Sequence, residues 1–189
     1  KKIFIYFFLL IFVSSINNSS INNFKFSKVP NIYVSGLSEK DNHLLLKEIK
    51  NLDLKTIYYI KKSELENLLN ENSLIERYEV FKKYPSTINI KIDKAKFFAK
   101  TNINGKNFLL GSNGKLTLNE SNYNELPFIF GKLDIKEFLR LKKVIDESKF
   151  SYQQIKNFYF FPSKRWDIKF KDEFILKLPN NFTNKTLDQ

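Results

Sequence analysis

Apolar and polar positions follow several different rhythms along the chain. The first is no rhythm at all: Ile3 to Val13 is apolar without interruption, preceded by Lys1-Lys2 and followed by Ser14-Ser15-Ile16 and an Asn/Ser-rich stretch. A run with no polar face predicts a helix that is buried all round or enters lipid. Taken to Ile16, roughly fourteen helical residues reach about 21 Å, short of a ~30 Å hydrocarbon core. That length fits the apolar region of a signal peptide, and Ser14, Ser15, Ser19 and Ser20 could supply a cleavage site. Continuation through Ile21 fits an uncleaved anchor. On either reading the two lysines hold the N-terminus in the cytoplasm and put everything after about residue 22 across the membrane.

From Val29 the rhythm changes. Val29 to Gly36 alternates apolar and polar residues and stops at Gly, which predicts a half-buried strand. Ser38 then caps a helix with Asp41 at the third position and an apolar stripe of Leu44, Leu45 and Ile49. A second helix is expected from Ser63, where Ser63-Glu64-Leu65-Glu66 reads as a capping box and Leu65, Leu68 and Leu69 recur at helical spacing. Tyr78 and Val80 belong to a strand, Tyr84-Pro85-Ser86-Thr87 turns the chain, and Ile88, Ile90 and Ile92 alternate with polar residues in the next strand. The predicted order is β-α-α-β-β, with two helices covering one face of a small sheet.

After Ala95 strands dominate. Phe108 to Leu110 and Lys115 to Leu118 flank Gly111-Ser112-Asn113-Gly114 as a hairpin. Leu126 to Gly131 is a short apolar run, and Asp134 caps a helix expected to reach Glu147. Arg165 to Phe170 and Phe174 to Leu178 form a second hairpin around Lys171-Asp172-Glu173. The predicted fold is α+β: an N-terminal transmembrane helix, a β-α-α-β-β domain, then a β-rich domain with a flanking helix. The expected boundaries are 1–22 for the anchor and start of a linker, 23–94 for the linker and first domain, and 95–189 for the second.

Composition narrows the chemistry. The 189 residues carry a net charge of +12, which raises nucleic acid or an anionic surface as a partner. Arg occurs only at Arg77, Arg140 and Arg165, however, and Lys is spread along the whole chain, which argues against a dedicated nucleic-acid groove. The absence of Cys removes disulfides and thiolate chemistry, and the one histidine, His43, falls on the polar start of a helix, where it is expected to be exposed. No nucleophile with a base, phosphate loop or ligand cluster is visible, so neither enzyme activity nor a cofactor, metal or small-molecule substrate is expected. Trp166 could serve as a ligand platform, but a tryptophan on an amphipathic strand is expected in a core.

Several segments together resemble one family. A strand ending in Val34-Ser35-Gly36, then Val80-Phe81-Lys82-Lys83-Tyr84-Pro85 leading into an alternating strand, is similar to the FtsQ/DivIB pattern of bacterial cell-division proteins. Leu126-Pro127-Phe128-Ile129-Phe130-Gly131 resembles that family's Leu-Pro-x-x-x-Gly, and Arg165-Trp166-Asp167-Ile168 with Leu178-Pro179 resembles its Trp-containing hairpin. Asp93-Lys94 stands where the family usually has Glu-Arg, and Gly111-Ser112-Asn113-Gly114 replaces its usual Asp-x-x-Gly turn.

The resemblance implies a POTRA domain followed by the family's β domain. It implies a non-enzymatic scaffold that links early and late division proteins and controls septal peptidoglycan synthesis through protein contacts, with FtsB and FtsL as partners. It places the protein in the cell inner membrane at the septum, single-pass, its bulk periplasmic. It maps recruitment onto Tyr78, Val80, Lys82 and Lys83, and makes Arg140 a second contact for an acidic partner. The alternative is a POTRA-bearing envelope chaperone or translocation component, against which stands the lack of a second β-α-α-β-β copy. With no Met in the sequence, and with family members continuing past the Leu-Pro position, the whole protein is expected to extend beyond both ends of the chain.

Overall fold

A computed structural model of the chain describes residues 2–16, 31–52, 62–84, 86–119, 123 and 125–183. The apolar leader is helix α1 (Lys2–Ile16), with its side chains from Ile3 to Val13 exposed. At 15 residues it is about 22 Å long. Among the described residues no helix is long and apolar enough to cross a membrane.

The first sheet holds β1 (Asn31–Ser35), β2 (Ile75–Lys83) and β3 (Thr87–Lys94) in the order β1-β3-β2. β1 runs parallel to β3 with Ile32 beside Ile88, and β2 is antiparallel to β3 with Val80 beside Ile90. A parallel pair needs a crossover. It contains α2 (Glu39–Asn51) and α3 (Lys62–Glu71), whose Leu45, Ile49, Leu65 and Leu69 bury against Ile88, Ile90 and Ile92. Ser38 caps α2 as expected, its Oγ accepting from the Asp41 amide at 3.2 Å and donating to the Asp41 carboxylate at 2.6 Å. α3 begins at Lys62, so Ser63 lies inside the first turn and not at the cap. Gly36 leaves β1 at φ +115, where a Cβ would stand 1.8 Å from the Ile92 carbonyl oxygen; only glycine fits that approach. Pro85, predicted in the β2–β3 turn, lies outside the described residues.

The second sheet has seven strands in the order β10-β9-β8-β7-β4-β5-β6. They are β4 (Phe97–Ile103), β5 (Lys106–Gly111), β6 (Leu116–Leu118), β7 (Phe128–Phe130), β8 (Ile155–Phe160), β9 (Trp166–Phe170) and β10 (Ile175–Lys177). Asn104 and Gly105, both at positive φ, turn β4 into β5. β7 lies between β4 and β8 and runs parallel to both, and α4 (Ile135–Asp146) makes the crossover from β7 to β8. Asp134 caps α4 by accepting from the amides of Lys136 and Glu137. The buried face of α4, Phe138, Leu141 and Ile145, packs with Ala99, Leu110, Ile129 and Phe158 from the sheet. Trp166 is fully buried in this core, 6.1 Å from the Phe138 ring, so it is a packing residue and not a platform.

The two sheets meet at the β5–β6 turn. Asn113 donates from its side-chain amide to the carbonyls of Ser73 and Ile75 at 2.9 and 2.8 Å, while its Oδ1 accepts from the Lys115 amide at 3.0 Å. The Lys115 ammonium donates to the carbonyls of Asn70 and Asn72, at the C-terminal end of α3, where a cation also meets the negative end of the helix dipole. Thr117 donates to Ser73 Oγ at 2.9 Å, and the Ala95 amide to the Leu74 carbonyl at 2.9 Å.

Candidate partner-binding site

Among the described residues β2 pairs only with β3, so it is an edge strand of its sheet. Its alternation divides the four recruitment candidates between two faces. Tyr78 and Val80, half-buried, lie opposite Ile92 and Ile90 and pack against the core beneath the helices. Lys82 follows them on the same face, opposite Ile88. Lys83, opposite Thr87, belongs to the other face, which no helix covers among the described residues. The four residues share a strand but not a surface.

The uncovered face carries two aromatic residues that the sequence reading did not single out. Tyr33 of β1 and Phe81 of β2 flank Asn89 of β3 in one row, and they remain 60% and 44% exposed. The Lys91 ammonium lies 5.4 Å from the centre of the Phe81 ring. Arg77 and Asp93 pair across the same face at 3.2 Å. An exposed aromatic pair inside a polar row suits a protein contact better than simple solvation. The signal was present: Phe81 is an aromatic residue at a position whose parity belongs to the wet face.

Arg140 sits on α4, in the second core's layer, away from the β2 quartet. Its guanidinium is already engaged within the chain: Nε meets Glu137 at 3.4 Å, Nη2 donates to the Asn180 carbonyl at 3.3 Å, and the group lies 4.5 Å from the Phe182 ring centre. It ties α4 to the segment after β10. Nearby on the helix, the Lys142 ammonium is held between the rings of Phe98 and Tyr152, at 4.6 and 4.4 Å, and pairs with Asp146 at 2.5 Å. Burial, reinforced by the Asp146 charge, pushes the Tyr152 phenol well above its ordinary value; its hydroxyl donates to the Phe98 carbonyl at 2.7 Å. This cluster fastens α4 to β4.

At the β9–β10 turn, Glu173 receives Lys156 at 2.7 Å and also Lys169. Those two hydrogen bonds hold the Glu173 carboxyl down at about 2, and donating to Glu173 raises Lys169 above its ordinary value. His43 is exposed on α2. Among the described residues no group of three His, Cys, Asp or Glu side chains could hold a metal ion.

Comparison with known proteins agrees with this arrangement. Residues 27–94 match the family model for the POTRA domain, FtsQ-type, a stretch that contains the whole first sheet. The chain is also 29% identical over 144 residues to the cell division protein DivIB of Staphylococcus aureus (strain NCTC 8325 / PS 47). Both similarities point to the FtsQ/DivIB family, and residues 27–94 resemble its POTRA domain. The similarity covers 73% of the chain and 32% of the DivIB sequence, so the chain spans about a third of the length of that relative. Among solved structures, the major extracytoplasmic domain of DivIB from Geobacillus stearothermophilus aligns with 14% identity and a TM-score of 0.37, over 49% of this chain and 85% of that one.

Proposed function

We propose that the chain is a non-enzymatic cell-division scaffold, anchored by its apolar leader and holding two binding modules outside the cytoplasm. In this reading residues 1–22 are the anchor and start of the linker, 23–94 the linker and POTRA domain, and 95–189 the β domain. α1 supplies the apolar part of the membrane segment, with Lys1-Lys2 on the cytoplasmic side. The observation that carries the proposal is the reach of the DivIB similarity: 144 aligned residues extend well beyond the POTRA match.

The scaffold acts by presenting surfaces. Division proteins are recruited at the β2 strand, through Tyr78, Val80, Lys82 and Lys83 with the uncovered row of Tyr33 and Phe81 beside them. Arg140 contributes at the second module by holding the segment around Phe182 in place, with an exposed side of its guanidinium left for an acidic partner. The partners are the small membrane-spanning division proteins FtsB and FtsL, and the outcome is control of septal wall synthesis by contact. The test is the position of a fluorescently tagged full-length protein in dividing cells, with co-purification of FtsB and FtsL. A septal band with both partners is expected. Uniform membrane fluorescence without them overturns the reading.

A further inference from the structure

The parallel strands β7 and β8 end side by side, Phe130 opposite Tyr159, and α4 starts where β7 leaves off. Gly131 turns the chain there at φ +101, so close to β8 that a Cβ would stand 2.1 Å from the Phe160 carbonyl oxygen. A crevice of about 780 Å³ opens between the start of α4 and the β8–β9 turn. Its walls are apolar: Leu133, Ile135, Phe160, Phe161 and Pro162. That volume suits an organic ligand or a few side chains, and the carboxyl ends of parallel strands are where open sheets with crossover helices form such crevices.

Lysines outnumber acids in its lining. Lys132, Lys136 and Lys164 line the same crevice, from two segments distant in sequence, and none of them has an ion-pair partner among the described residues. The one acid in the lining, Asp134, has an oxygen occupied by the amides of Lys136 and Glu137 at 3.1 and 3.2 Å. Lys164 occupies the left-handed position of the β8–β9 turn, φ 62, where Gly or Asn would relieve the backbone. A strained turn thus carries a cation at the mouth of an apolar crevice.

We propose that this crevice docks an acidic linear peptide segment of a partner protein, in which Glu or Asp residues flank one or two aromatic or aliphatic side chains. A compact anion such as phosphate is disfavoured, because the Asp134 carboxylate already occupies the Lys136 and Glu137 amides at the start of α4 and puts a negative charge there. A fatty acid offers a single carboxylate to three ammonium groups. Carboxylates distributed along a strand of peptide match the lysines, while the side chains between them fill the apolar walls. The proposal rests on this crevice alone and not on the scaffold's place in the cell.

The test uses the full chain in non-ionic micelles and a fluorescein-labelled nonapeptide alternating Glu with Phe and Leu, read by anisotropy against empty micelles. Two control peptides replace Glu by Lys, or Phe and Leu by Ser. The acidic, apolar peptide is expected to bind saturably, and each control about tenfold more weakly or worse. The triple variant K132E/K136E/K164E, at three exposed positions, should lose the acidic peptide by about the same factor and gain the Lys peptide. A control variant of equal charge change on α2, K40E/K47E/K50E, should bind as the parent does. Equal binding of all three peptides to the parent chain overturns the proposal even if the triple variant fails to fold. So does an equal loss in the α2 variant, and so does crevice-dependent binding to phosphatidylglycerol vesicles with no peptide binding.

Discussion

Asn113 is the residue on which the joint between the two sheets most depends, and replacing it by Ala tests that directly. The substitution removes two donated bonds, to the Ser73 and Ile75 carbonyls, and one accepted bond, from the Lys115 amide. A neutral hydrogen bond contributes a net ~1 kcal/mol, and Asn113 is only half-buried, so water can reach part of what is vacated. The expected loss is therefore about 2 kcal/mol, near the lower end for three bonds. Urea unfolding of the full chain offers two probes. Fluorescence of Trp166, the only tryptophan, reports on the second core, and far-ultraviolet circular dichroism reports on both. With a slope of roughly 2 kcal/mol per molar urea, the midpoint should fall by about 1 M. The two probes, coincident in the parent, should separate as the modules lose their coupling. A change below about 0.5 kcal/mol with coincident probes would refute the assignment of the joint to this side chain.

Three further outcomes follow from the same geometry. Gly36→Ala should cost at least about 3 kcal/mol or abolish folding of the first module, because its Cβ would overlap the Ile92 carbonyl and its φ is +115; a thermal midpoint within a few degrees of the parent would contradict this. Phe138→Ala, removing a fully buried ring packed edge-on at 5.3 Å from Phe158, should cost about 3–5 kcal/mol in chemical denaturation. Glu173, followed by carbon-detected NMR, should titrate with a midpoint near 2 where 4.5 is ordinary, and move upward in high salt. Because its folded value is depressed, the stability it contributes is present above pH 4.5 and lost as the pH falls toward 2. A midpoint at the ordinary value would remove the Lys156–Glu173–Lys169 bridge from solution.

Local periodicity and capping chemistry carried much of the architecture. Alternation at Ile88, Ile90 and Ile92, the Ser38 and Asp134 caps, and the stripe on α4 follow from which face each residue must bury, and that is written within ten residues. β8 escaped because Phe158, Tyr159 and Phe160 place aromatic rings on successive positions and blur the alternation. β4 escaped because a register shift between Phe97 and Ala99 breaks its period. The recruitment quartet was legible as a strand, but parity separates Lys83 from the other three once the helices choose a face.

Some properties of the chain belong to its folded arrangement alone. Local sequence was enough for the order of elements in the first module, the apolar leader, the burial of Trp166 and the exposure of His43, since each depends on neighbours close along the chain. Long-range packing, and no local pattern, makes β4, β7 and β8 parallel, brings Asn113 and Lys115 to the end of α3, and lays Arg140 over Phe182. The crevice is of the same kind, built from residues 131–136 and 160–164. Its walls come together because a crossover helix must return the chain to a parallel neighbour, and no local pattern encodes what two distant turns will enclose.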